Sequence, residues 1–336
     1  MKKLLMIAGG ALGIYLVIVM LIAVLPAIDL SMTPAGPDVK PLTALQAEGR
    51  DVFVANGCSY CHTQQVRPLP EDKVFGRPSA PGDFAYQTPE LLGSERTGPD
   101  LTDVGATKPS DVWQYIHLFD PRAVVPESIM PNFRFLFRVV DQLPPGETAV
   151  PIPAPFAPAT GKVIPTQQAK ALVAYLLSLK QTPIPGYSMN GGMGGVTSAA
   201  PAATTAAASS APVPVPVPVP AGAYRFDAAR GASLYAANCS ACHQASGEGI
   251  PGAFPPLKGN AAVNDADPGL HIHTVLQGAH GVTIGGVNYT SVMPPFAGQL
   301  SDAQIADIIN HERSSWGNQA RPVTPAEVAA ARAKGP

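Results

Sequence analysis

A chain of 336 residues with a formal net charge of -2 and 14% charged residues has room for two modest domains and accessories. It carries no basic run able to displace counterions from phosphate, so nucleic acid is excluded as a partner. Its four cysteines all fall in two short motifs, which leaves none for a disulfide framework.

In chain order, Lys2 and Lys3 precede an uncharged apolar run from Leu4 to Leu25, which as a helix covers ~33 Å, about one hydrocarbon core. A cleaved signal peptide would need a shorter apolar core and a small-residue cleavage pattern, which Leu25-Pro26-Ala27 does not supply. Residues 1–27 are therefore read as a retained transmembrane anchor with a cytoplasmic N-terminus, set by the two lysines. The span holds no ionisable residue and offers no proton path. A Pro-spaced tether follows over 28–41.

Residues 42–182 read as the first haem domain. Thr43-Ala-Leu-Gln46 has the capping-box spacing that starts a helix, and that helix leads into Cys58-Ser-Tyr-Cys61-His62. Residues 224–320 read as the second, where a helix leads into Cys239-Ser-Ala-Cys242-His243. C-x-x-C-H is the signature of covalent haem c: Cys58, Cys61, Cys239 and Cys242 form thioethers, and His62 and His243 ligate iron. A zinc knuckle or a redox C-x-x-C would not explain the His after the second Cys in both copies.

Downstream of each motif lies a matched string, Ser128-Ile-Met130-Pro-Asn-Phe133 and Ser291-Val-Met293-Pro-Pro-Phe296. A lone Met ordinarily packs, but the recurrence marks Met130 and Met293 as second axial ligands, which gives a comparatively high reduction potential. Met6, Met20, Met32, Met189 and Met193 fall in the anchor or linkers. His117, His271, His273, His280 and His311 are alternative ligands whose ordinary role is packing or surface. Arg67, Arg96 and Arg122 are candidates to neutralise haem propionates, or else solvated surface groups.

Residues 141–166 are Pro-rich and read as a surface excursion ahead of a closing helix, Gln167–Lys180, with Leu172, Val173, Leu176 and Leu179 at helical spacing. Residues 183–223 form a Pro/Ala/Gly-rich linker. Its Val-Pro repeats, Val213 to Pro220, are expected to be extended polyproline II. The closing helix of the second domain is Ser301–Trp316, and 321–336 is an Ala-rich tail with the makings of a short helix.

Gly49 with Phe53, and Gly231 with Tyr235, resemble the N-terminal helix of class I cytochromes c, which crosses the C-terminal helix at a Gly/aromatic contact. Tyr175 would supply the partner aromatic in the first domain. In that family a proline carbonyl orients the ligating His; the matching positions are Pro99 and, from Pro255-Pro256-Leu257, Pro256, with Pro255 not separable from it.

The first half is similar to subunit II of the cbb3-type haem-copper oxidases, a membrane-anchored monohaem cytochrome. The likeness runs through Val39-Lys-Pro-Leu-Thr-Ala-Leu, Gly93-Ser-Glu-Arg-Thr-Gly-Pro-Asp-Leu101 and Asp120-Pro-Arg-Ala-Val-Val-Pro-Glu-Ser-Ile-Met-Pro131 to Ala171-Leu-Val-Ala-Tyr-Leu176. The second half departs from that subunit. Pro294-Pro-Phe-Ala-Gly-Gln-Leu-Ser and Ser315-Trp-Gly-Asn318 resemble class I modules of oxidase subunits and of membrane dehydrogenases.

The resemblance implies a mainly α chain: an N-terminal transmembrane helix plus two class I cytochrome c-like haem domains joined by a Pro/Ala-rich linker. It implies two covalently bound haem c groups facing the periplasm from a bacterial inner membrane. The implied partners are the catalytic and other membrane subunits of a haem-copper oxidase, with a soluble cytochrome c or a quinol-oxidising complex as donor. Alternatives are the cytochrome subunit of a membrane dehydrogenase or nitric oxide reductase and, from another class, a dihaem peroxidase or gas sensor.

Overall fold

The computed structural model describes residues 2–182 and 224–335. The linker expectation, with Met189 and Met193, lies outside the described residues. In chain order the helices are α1 (Lys2–Val19), α2 (Leu25–Ser31), α3 (Ala44–Ala55), α4 (Val104–Thr107), α5 (Asp111–Phe119), α6 (Gln167–Ser178), α7 (Ala228–Asn238), α8 (Ser240–His243), α9 (Ala261–Asn264), α10 (Gly269–Gln277), α11 (Asp302–Ser314) and α12 (Pro325–Ala333). The strands are β1 (Phe137–Val140), β2 (Lys162–Pro165), β3 (Val282–Ile284) and β4 (Val287–Tyr289), paired as two antiparallel hairpins. The described residues form two compact units, 2–107 with 170–182, and 108–169 with 224–335.

In the first unit, α1 and α2 are joined by a π-turn over Met20–Val24 into one 30-residue helix that contains an 18-residue stretch of mean hydropathy 2.8. Among the described residues it is the one helix long and apolar enough to cross a membrane. It continues to Ser31, past the expected end of the anchor and into the segment read as tether. Pro26 cannot donate to the carbonyl four residues back. The π-turn, in which Leu25 N–H bonds Met20 O, absorbs that defect just before it.

Helix α3 starts on a reciprocal cap: Gln46 N donates to Thr43 Oγ1 at 3.3 Å and Thr43 N to Gln46 Oε1 at 2.9 Å. Its buried face, Gly49, Val52 and Phe53, crosses α6. A Cβ on Gly49 would run into Ala171 O and lie 2.8 Å from Tyr175 Cβ, so only glycine permits this approach. Phe53 and Tyr175 meet edge to face at 5.6 Å, and the Tyr175 hydroxyl donates to Gln64 Oε1 at 2.9 Å.

In the second unit, α5 is capped by Ser110, whose hydroxyl accepts from Trp113 N at 3.2 Å. β1 pairs with β2 from Phe137 opposite Pro165 to Val140 opposite Lys162. The Pro-rich excursion therefore does not run to residue 166. Its last residues, Lys162-Val-Ile-Pro165, return as a strand because β-branched Val163 and Ile164 are buried there.

Around the second motif, α7 crosses α11 at Gly231, where a Cβ would lie 2.7 Å from Asp307 O and 3.2 Å from His311 Cβ. Tyr235 packs against His311 at 5.1 Å. Ile272, Leu276, Ile305, Ile308 and Ile309 fill the core, and each buried side chain of this size stabilises by about 1.5–3 kcal/mol. Val323 and Val328 belong to the same core. The tail thus folds as α12 against α11, started by a Thr324–Glu327 capping box.

Candidate haem-attachment sites

Helix α3 is ended by Gly57 in the left-handed region, φ 68°, and the chain turns tightly through Cys58–Tyr60 so that His62 N reaches Cys58 O at 3.0 Å. His62 Nδ1 donates to Pro99 O at 2.8 Å. The strap closes further where Gly98 N donates to Cys61 O at 2.8 Å, and a Cβ on Gly98 would strike the imidazole. Burial holds the His62 pKa below its usual value against the pull of the Pro99 carbonyl and Asp100. The result is a neutral ring with Nδ1 protonated and the Nε2 lone pair available to a metal. Burial also pushes the Cys58 thiol up to about 11.

The second motif repeats this plan in α8. His243 N meets Cys239 O at 3.0 Å, and His243 Nδ1 donates to Pro255 O at 2.9 Å. This corrects the choice of Pro256, whose carbonyl accepts instead from Asn260 Nδ2 at 2.9 Å. Burial again lowers the His243 pKa, opposed by the Pro255 carbonyl.

The two Met strings are held by different means. Met130 N donates to Ser128 Oγ at 3.2 Å, and Met130 O accepts from Arg122 Nη1 at 3.0 Å. Arg122 thus braces the Met loop, a contact the propionate expectation did not include. Met293 exchanges both backbone bonds with Ala279, at 2.8 and 3.2 Å, and its side chain packs against the core. The alternative histidines are engaged elsewhere or exposed. His271 Nε2 lies 2.7 Å from Glu312 Oε2, His311 sits between Tyr235 and Trp316, and His117 stacks on Trp113, while His273 and His280 are exposed.

Comparison with known proteins adds to this geometry. The family described as cytochrome c oxidase, mono-heme subunit/FixO, matches residues 2–148, and the cytochrome c family matches residues 228–316. Cytochrome c-552 of Thermus thermophilus is 41% identical over 115 residues, covering 32% of this chain and 86% of that protein. The chain belongs to the cytochrome c family. The cytochrome c subunit of a quinone alcohol dehydrogenase from Gluconacetobacter polyoxogenes is 38% identical over 109 residues, covering 31% of this chain and 23% of that protein. The cytochrome c subunit of gluconate 2-dehydrogenase from Pantoea cypripedii is 36% identical over 108 residues, covering 32% and 24%.

This cytochrome is an electron-transfer subunit in which a FixO domain is followed by a second cytochrome c domain, with two covalently bound haem c groups. The residues fit the cofactor. None of the four cysteines is engaged in a disulfide, so all are available for thioethers, and each motif His has its Nδ1 committed to a proline carbonyl, which leaves Nε2 for the iron.

One residue of the first cytochrome domain escaped sequence reasoning. Asp72 is fully buried and accepts from Arg67 N, Nε and Nη2 at 2.7, 3.0 and 2.9 Å and from Arg96 Nη1 and Nη2 at 2.6 and 2.8 Å. Arg96 also donates from Nε to Thr63 Oγ1 at 2.8 Å and from Nη2 to Gln65 O at 2.8 Å. Arg96 is therefore a brace for the segment after His62, with its guanidinium engaged by Asp72. The signal was present as two arginines flanking an Asp, but only burial makes that Asp the centre.

The hydrogen bonds from Arg67 and Arg96 hold the Asp72 carboxyl far below the usual carboxylate range. A depressed folded-state pKa contributes stability that is complete above the unfolded value of about 4 and is lost as pH falls below it. Thermal unfolding followed against pH should therefore show the wild type losing stability from about pH 4 downward. Asp72→Asn should be less stable at neutral pH and flatter through that window; parallel curves would contradict this.

Proposed function

We propose that this cytochrome carries single electrons to the catalytic subunit of a cbb3-like haem-copper terminal oxidase. The observation that supports this best is the FixO match, which takes in the anchor helix, the first C-x-x-C-H and Met130 in one stretch, residues 2–148. His62 with Met130, and His243 with Met293, would hold the two haem irons. Bound haem c supplies one-electron chemistry, and thioether sulfur favours the reduced form. The side chains do the rest: the proline carbonyls fix the imidazoles, while Arg122 and the Ala279 bridge fix the Met loops. With two side-chain ligands each, the irons would have no open position, and dioxygen would be reduced in another subunit.

The helix Lys2–Ser31 anchors the chain in the cytoplasmic membrane with Lys2 and Lys3 inside, placing both cytochrome domains in the periplasm. Electrons enter the C-terminal domain from a soluble cytochrome or a quinol-oxidising complex, pass to the N-terminal domain, and leave to the catalytic subunit. A second reading, the cytochrome subunit of a membrane dehydrogenase, is favoured by the names of the alcohol and gluconate dehydrogenase relatives.

Ligation is tested by adding carbon monoxide to the reduced, purified cytochrome. The wild-type spectrum should not change, whereas Met293→Ala should show a carbon monoxide-dependent shift from one of the two haems. A shift in the wild type would mean an open iron position and overturn the assignment.

A further inference from the structure

The turn bearing the second haem motif does not face solvent as the first one does. In the first motif Cys61 is exposed and Tyr60 is 75% exposed. In the second, Cys239 is buried, and Trp113 of α5 donates from its indole Nε1 to Ala241 O at 3.2 Å, between the two cysteines and 128 residues away in sequence. All of these second-motif contacts lie within the second unit.

Trp113 is only 6% exposed, and a buried indole N–H without an acceptor would bear its full desolvation cost. Its acceptor is the backbone of the other cytochrome domain. The indole is backed by His117, stacked on it at 4.7 Å with the rings 11° apart, and Lys108 Nζ lies 5.8 Å from its ring centre. Lys108 and His117 thus both pack on the one indole that reaches the attachment turn.

We infer that α5 is a dock for the C-terminal cytochrome domain: Trp113, backed by His117 and flanked by Lys108, clamps the Cys239–His243 turn. The Cys239–His243 turn is then held at a fixed place on α5. The inference concerns two parts of this chain and holds whichever complex the chain serves.

Hydrogen exchange of the full-length, haem-loaded chain in detergent tests it, with one variant from each side. Trp113→Ala should speed amide exchange over 239–246 about tenfold, with Trp113→Phe, which keeps packing but not the N–H, in between. Ala241→Glu alters a position the C-x-x-C-H pattern leaves free, and should speed exchange over 111–119 by a similar factor while α11 is unaffected. Each effect must appear on the side opposite the substitution. If Trp113→Ala loses the fold of its own domain, Ala241→Glu alone decides. Exchange changes confined to the mutated side would overturn the dock.

Discussion

Gly49→Val is expected to lower the stability of the first cytochrome domain by about 3 kcal/mol, the upper end of the usual overpacking cost. The obstacle is backbone. A Cβ at this position would lie 2.5 Å from the carbonyl carbon of Ala171 and 2.8 Å from Tyr175 Cβ, and neither can turn aside by changing rotamer. Helices α3 and α6 must then part, with loss of the Phe53–Tyr175 contact and the Tyr175–Gln64 bond. Because α3 runs directly into Cys58, its displacement also misplaces the attachment motif. Denaturant unfolding should show the early loss of one domain, and the haem content should fall from two per chain toward one. The corresponding Gly231→Val should do the same to the other domain, less severely, because the nearest atom there is 2.7 Å away. Unchanged haem content and midpoint in Gly49→Val would contradict the crossing.

Arg313→Leu is expected to destabilise the second cytochrome domain by about 3–5 kcal/mol. Arg313 is 1% exposed, and its guanidinium donates to three backbone carbonyls: Nε to Arg321 O at 2.8 Å, Nη1 to Val263 O at 2.8 Å and Nη2 to Asp265 O at 2.7 Å. Burial lowers its pKa, yet an arginine starts so high that it stays charged. Leucine would take the donor from all three carbonyls, that of Val263 in a buried setting. The α9 region and the lead into α12 would lose their tie to α11 together. Arg313→Lys should rescue little, since one ammonium on a flexible stem does not span the fork. Unfolding monitored at the Soret band measures both variants; a loss below about 1 kcal/mol in Arg313→Leu would show the carbonyls finding other partners.

Local signals read correctly where local physics decides. The capping box at Thr43 starts its helix as its spacing requires, and the glycine-plus-aromatic pattern put Gly49 and Gly231 at crossings. The strap carbonyl of Pro99 was also legible. Pro255 could not be told from Pro256 because the decision rests on Asn260, which takes the Pro256 carbonyl. The β1–β2 pairing was missed because it joins residues across the Pro-rich loop, and Lys162–Pro165 is too short to stand out in such company. Asp72 was missed because a carboxylate's burial is a property of packing, and the Trp113 contact because no periodicity links residues 128 apart.

The central claim is that this FixO-containing dihaem cytochrome serves an oxidase. Purifying the intact membrane complex through this chain and determining the cofactors of its stoichiometric partners tests that most directly. The account predicts a partner holding b-type haem and copper. A quinoprotein or flavoprotein in that place, with no copper, would contradict it.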